Sequence, residues 1–212
     1  MYGVMLRSLG HNVHILEQSG DIRESHMAGV CCAADALEYF RRFDRISTPF
    51  SLRSERLQFL KQSGLISHYL KAPRLVTSWD VLYWRLRANF DGYASDYYPE
   101  PPPIDFEGSG SGFFWARTKV ISVEVDAKGK GVIVRYEREG ESAQELTADL
   151  VLGADGPSSA IRQKFYPESP RQYSGYVAWR GTVPESDVSP ETLRLLEKNV
   201  TLNLMTEDHA VV

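Results

Sequence analysis

The segment of this 212-residue chain best equipped for chemistry is Ala148–Arg162, ADLVLGADGPSSAIR. Its pattern predicts a short buried strand at Leu150-Val151-Leu152, a tight glycine turn, and a helix from about Ser158 to Phe165. Gly153 and Gly156 let the backbone bend and approach a ligand closely. The helix start beyond them offers unpaired N–H groups and positive dipole potential. Asp155 would stand at the carboxyl end of the strand, where open α/β sheets bind ligands. An ordinary strand–turn–helix joint, with Asp155 as turn former, accounts for the A-D-G step alone. Ser159, Ile161 and Arg162 behind it favour the ligand-binding reading. A second carboxylate, Glu17, closes the alternating run HNVHILE. It could accept hydrogen bonds from two hydroxyls; a solvated charge at a strand end is the alternative. The five histidines (His11, His14, His26, His68, His209) fall in no recognisable motif, and no catalytic base stands out.

The elements that must position these groups follow from periodicity. Val4, Met5 and Leu9 recur at helical spacing, with Gly10 placed as a C′ glycine. His11–Glu17 reads as a strand with Val13 and Ile15 on one face, followed by a turn at Ser19-Gly20-Asp21. From Ala33 to Phe43 the pattern ADALEYFRRF is helical, with Leu37, Phe40 and Phe43 inward. Residues 46 to 76 give only short extended stretches around Arg56–Lys61 and Ile66–Leu70. Ser78 caps a helix running to about Asn89, with Val81, Leu82, Trp84 and Leu86 as its apolar residues. Asp91–Gly112 is loop. A three-strand meander follows, at Thr118–Val125, Val132–Glu137 and Glu145–Thr147. Tyr173–Val183 alternates as a strand, Ser189-Pro190 opens a helix, and Thr201–Met205 reads as a further strand.

Composition excludes several classes. Two adjacent cysteines, Cys31 and Cys32, make neither a disulfide framework nor a zinc site, and no metal is expected. Apolar residues at 42% and charged residues at 25% fit a soluble protein able to bury a core. No apolar run nears the ~20 residues of a membrane helix, and MYGVMLRSLGH is no secretory signal. A net charge of −4 argues against nucleic acid. A cytoplasmic protein is expected.

The Ala148–Arg162 segment resembles the DG motif, D-G-x-x-S-x-v-R, of the group A FAD-dependent aromatic hydroxylases, the p-hydroxybenzoate hydroxylase family. Asp155, Gly156, Ser159 and Arg162 meet its fixed positions, with Ile161 for the usual valine. The resemblance implies that these residues touch FAD and the reducing nicotinamide nucleotide. LRSLGHNVHILEQ looks like the family's first helix and second strand, which implies that Glu17 binds the adenosine ribose. IRESHMAGV is similar to L-R-x-x-G-A-G-I: Arg23 and Gly29 match as cofactor contacts, while Met27 stands where a glycine is usual. WDVL, residues 79 to 82, occupies the place of R-x-D-L, with Ser78 for the arginine. YSGYVAWRGTVPE resembles the opening of the substrate domain in the branch of 2,6-dihydroxypyridine hydroxylase-like monooxygenases. In a strand, Tyr176, Ala178 and Arg180 share one face and Val177, Trp179 and Val183 the other. Tyr176 and Arg180 are the candidate substrate contacts, with Arg180 alternatively pairing a carboxylate, and Trp179 belongs to the core.

The fold implied is α/β. Residues 1–170 would form an incomplete Rossmann-like FAD-binding domain of the glutathione-reductase type with a β-meander. Residues 171–212 would begin a β-sheet substrate-binding domain. No G-x-G-x-x-G precedes Glu17 and no G-D-A-x-H follows, so the chain reads as truncated at both ends, and its exposed cut edges would invite self-association. The activity implied is FAD-dependent hydroxylation of a small aromatic or heteroaromatic substrate with NADH or NADPH and O2. A non-catalytic remnant that no longer binds FAD, and another flavin-dependent oxidoreductase or epoxidase sharing the DG motif, are the alternatives.

Overall fold

The computed structural model describes residues 1–20, 29–61, 63, 65–127, 129–177, 181–195, 200–205 and 210–211. In chain order the elements are α1 (Tyr2–Ser8), β1 (Val13–Leu16), β2 (Gly29–Cys32), α2 (Ala34–Phe43), β3 (Leu52–Leu60), β4 (Ile66–Ser78), α3 (Trp79–Asp91), β5 (Gly112–Trp115), β6 (Thr118–Val125), β7 (Val132–Arg138), β8 (Gln144–Ala148), α4 (Ala160–Phe165), α5 (Pro190–Leu195), β9 (Val200–Met205) and β10 (Ala210–Val211). The chain divides into two compact units. One comprises Met1–Val13, Ser25–Ser111 and Arg180–Val212; the other comprises His14–Glu24 and Gly112–Trp179.

The first unit is built on a five-stranded sheet in the order β10-β9-β3-β4-β2. The β3–β4 hairpin is antiparallel, with an irregularity between Ser54 and Arg56, and β9 joins β3 in parallel. Val4, Phe40, Ala88, Phe90 and Tyr98 are its buried apolar side chains. Helix α3 starts where the sequence places it, because the Ser78 hydroxyl accepts the Val81 N–H at 3.2 Å. Beside Ala88 and Phe90 it buries charged residues, Arg85 at 2% exposure and Arg87 at 6%. The Arg85 guanidinium pairs with Asp44 at 2.5 Å, donates to the Ile46 carbonyl, and lies over the Phe50 ring. Asp44 also accepts from the Asn89 amide and the Ile46 N–H. These bonds fix the segment after α2 against α3. Arg7 of α1, 3% exposed, donates to the carbonyls of Gly110, Phe90 and Ile104 and so pins the 104–110 loop.

The second unit holds the meander where it was expected, β6-β7-β8, antiparallel throughout. Val123, Val134 and Tyr136 form its apolar centre. Strand β1 pairs with β5. Val13 donates to Ser111 and Glu17 to Trp115, both indices rising together, so the two strands run parallel.

Two expected strands are absent among the described residues. Leu150 and Leu152 are 63% and 49% exposed, and the segment is irregular. No strand among the described residues pairs with it, and an apolar run becomes a strand only beside a neighbour that satisfies its backbone. Tyr173–Val183 carries no strand among its described residues. Gly175 there has φ +94°, a left-handed conformation that ends an extended run, and Tyr173, Tyr176, Val177 and Val183 are exposed. Ala178, Trp179 and Arg180 lie outside the described residues. Conversely, β2 and β5 form where no strand was foreseen, and β4 extends through Ser78. Among the described residues no helix is long and apolar enough to cross a membrane.

Candidate functional site

The DG segment folds as a self-contained cap. Gly156 takes φ +73°, which turns the chain after Asp155. The Asp155 Oδ2 accepts the Ile161 N–H at 3.1 Å, and the Ser159 hydroxyl accepts the Arg162 N–H at 2.9 Å. Ser159 is buried, and the Arg162 guanidinium returns to the Pro157 carbonyl at 2.6 Å. The structure therefore brings Asp155, Gly156, Ser159 and Arg162 together, as the sequence spacing implies. Partial desolvation pushes the Asp155 carboxyl upward. The Ser159 hydroxyl and the N–H groups of Ile161, Asp155 and Ala160 outweigh it and hold the group below the ordinary carboxylate value. Asp155 is exposed and ionised at neutral pH, with an orientation fixed by its own turn.

Glu17 follows β1 directly. Its backbone is locked on both sides, the N–H donating to Trp115 and the carbonyl accepting from Thr118. Its Oε1 accepts the Ser19 N–H at 2.8 Å. Among the described residues, no hydrogen bond reaches Oε2. Beyond this strand end lies an open, solvent-facing depression lined by Gln18, Gly20, Arg117, Lys119 and Arg138 together with Glu137, Glu139 and Glu141. No hydrogen bond or ion pair joins Glu17 to the DG segment among the described residues.

Beside Glu17, His14 of β1 stacks on Phe113 with ring centroids 5.0 Å apart and meets Trp115 edge-on at 4.8 Å. The Arg138 guanidinium lies over the same Trp115 ring at 4.2 Å. The His14 Nδ1 is buried without a partner among the described residues, and desolvation lowers its pKa from the ordinary 6.5. The unfolded chain thus takes up this proton near 6.5 while the folded chain resists it. Stability is full above that pH and declines as pH falls below it. Urea midpoints measured between about pH 7.5 and 5.5 should drop more steeply for the wild type than for His14→Phe, in which the aromatic stack stays and the titration goes.

The other expected contacts are scattered or lie beyond description. Gly29 sits on strand β2 directly opposite Ser78, exposed, with open space around it. Tyr176 is 72% exposed in irregular chain. Arg23 and Arg180 are outside the described residues. Sequence reasoning missed a set of polar residues on β3, namely Ser54, Arg56 and Gln58. Their alternation with Leu57 and Phe59 was visible, but a polar alternate position normally faces water. Here Ser54 is 3% exposed and Gln58 is fully buried.

Comparison with known proteins gives these positions a context. Over 98% of this chain the sequence is 24% identical to 2,6-dihydroxypyridine 3-monooxygenase of Paenarthrobacter nicotinovorans, the alignment covering 46% of that protein. The solved 2,6-dihydroxypyridine-3-hydroxylase of Arthrobacter nicotinovorans superimposes with a TM-score of 0.68 at 19% identity, covering 95% of this chain and 45% of that one. The chain is thus similar to an FAD-dependent monooxygenase acting on a dihydroxypyridine, in sequence and in fold. A family model described as FAD binding domain-like matches residues 173–212. A shorter stretch of 72 residues, 32% of this chain and 15% of the relative, is 40% identical to the FAD-dependent monooxygenase sor5 of Hypocrea jecorina (strain QM6a). The chain thus spans about half the length of the dihydroxypyridine enzyme it matches. At these identities the structural likeness speaks for the hydroxylase fold, an α/β arrangement of sheets and helices.

Proposed function

We propose that this chain serves in an FAD-dependent monooxygenase that hydroxylates an aromatic or heteroaromatic ring. The observation that carries the reading is the alignment of nearly this whole chain with about half of a dihydroxypyridine monooxygenase, on the same fold. The geometry at the end of β1 supports it. Glu17 presents a carboxylate with one oxygen held and the other open, which suits the two hydroxyls of an adenosine ribose. The open depression beginning at Gln18 leaves the approach to this carboxylate clear. Bound FAD supplies the redox chemistry that couples NADH or NADPH oxidation to insertion of one oxygen atom of O2 into the ring.

The chain's own residues orient, approach and shield. Glu17 accepts the ribose hydroxyls. Arg23 and Gly29 flank the cofactor, Gly29 because the space around its Cα is open. Asp155 stays anionic on its tether, and Gly156 lets the backbone come close. Ser159 holds α4, and Arg162 steadies the turn through Pro157. Tyr176 and Arg180 are the substrate contacts in this reading. In this reading residues 1–170 form the FAD-binding domain and residues 171–212 begin the substrate-binding domain.

The test is a titration of the purified chain with FAD, followed by flavin fluorescence. Saturable quenching is expected, with Glu17→Gln weakening affinity by about 10- to 100-fold, since one charged acceptor becomes a donor. A chain that leaves the flavin signal unchanged supports a non-catalytic scaffold instead.

A further inference from the structure

Strand β4 outruns its neighbour on one side. It pairs with β3 from Val76, opposite Leu52, to Ile66, opposite Leu60. On the other side β2 meets it only from Leu75 to Ser78, and the chain then leaves the sheet as α2. Between Ile66 and Pro73, no strand among the described residues runs along that second side. Ser67, His68, Leu70 and Lys71 are all exposed. Such an edge turns main-chain N–H and C=O groups outward, a template for an added strand.

The two faces beside this edge differ in chemistry. Residues opposite one another in an antiparallel ladder share a face, and alternate residues return to it. The ladder is regular from Arg56, opposite Lys71, to Phe59, opposite His68. Leu57, Leu70, Phe59 and His68 therefore share one face, where the Phe59 and His68 rings stack 4.4 Å apart. Leu70 is 51% exposed there. Lys71 lies on the opposite face. Residues 61 to 74 include Lys61, Lys71 and Arg74 and no aspartate or glutamate, in a chain whose net charge is −4.

We propose that the His68–Lys71 edge of β4 takes up an extended acidic segment of a partner protein as an added strand. Main-chain bonds to the edge would supply affinity, and alternate side chains specificity. The segment alternates apolar residues, which extend the Leu57–Leu70 face, with carboxylates beside Lys71. A second copy of this chain fits the edge poorly. It would bring two sets of Lys61, Lys71 and Arg74 together with no carboxylate among residues 61 to 74, and lysine and proline on an edge discourage self-pairing. An anionic lipid surface would attract the same cations. It offers no partners for main-chain N–H and C=O groups, which are costly to take out of water unpaired. Nothing in this surface depends on the flavin.

The probe is a fluorescein-labelled peptide of about ten residues that alternates valine and glutamate. Added to the full chain, it should give a saturable rise in anisotropy. A peptide of the same composition with its glutamates grouped in one block cannot place them on one face, and should bind at least about tenfold more weakly. Lys71→Glu should weaken the alternating peptide by a similar factor, because like charges then meet across the strands. N-methylation of the peptide's main chain should abolish binding with every charge intact, a result that needs no variant of the protein. Absence of saturable binding overturns the proposal, as does equal affinity for the block or the N-methylated peptide. So does uptake of the chain by phosphatidylglycerol vesicles without peptide binding, which assigns the edge to a lipid surface. A dimer that Leu70→Lys dissolves overturns it too, and assigns the edge to a second copy.

Discussion

Arg85→Met should destabilise the chain by about 3–5 kcal/mol, the typical loss when one partner of a buried ion pair is removed. Both charges lie inside, with side-chain exposures of 2% for Arg85 and 6% for Asp44. Removing the guanidinium strands the Asp44 carboxylate among groups that only partly satisfy it, the Asn89 amide and the Ile46 N–H. It also empties the position over the Phe50 ring and releases the Ile46 carbonyl. The loss should appear as a lower urea midpoint with little change in slope. Adding Asp44→Asn should recover part of it, because the stranded charge is then gone. A single variant as stable as the wild type would show that the segment after α2 is held by its apolar contacts alone.

Arg7→Met should cost about 3–5 kcal/mol as well, for a different reason: three carbonyls lose their donor at once. Gly110, Phe90 and Ile104 accept from one guanidinium at 3.0, 2.6 and 2.6 Å. Each buried carbonyl left without a partner costs about 1–3 kcal/mol, less whatever water recovers at the exposed end near Asp105. For a domain of this size that corresponds to a fall of about 10 °C in thermal midpoint. Arg7→Lys should recover less than half, since one ammonium cannot reach three diverging acceptors. Proteolysis in the 104–110 loop should accelerate in parallel, because that loop is what the guanidinium restrains.

These two arginines also show where the sequence was readable. The DG turn, the Ser78 cap and the meander were legible because their determinants lie within a few residues of one another. In α3 the sequence displays apolar Val81, Leu82, Trp84 and Leu86, yet the structure buries Arg85, Arg87 and Asn89 more deeply. The reason is Asp44, 41 residues before Arg85, together with Asp91 one turn beyond Arg87. Neither spacing announces a pair. Leu150–Leu152 failed for the complementary reason: a strand is a property of two neighbours, and one apolar run specifies only half of it. Of the candidate site, Glu17 and the four DG residues are proposals that local pattern suggests. The burial of Gln58 was not foreseen, since a polar residue in an alternating strand points to solvent until the layer above it is known.

The tethering of the two carboxylates has a consequence for any molecule they meet. Glu17 is held by the Ser19 N–H and Asp155 by the Ile161 N–H, each within its own turn. Their rotamers are settled before an encounter, so little rotational freedom remains to be lost when contact is made. Swapping either acid for its homologue, aspartate for glutamate or the reverse, would preserve the charge yet release the tether. Fit to a ligand would then suffer through lost rigidity, with the electrostatic attraction intact.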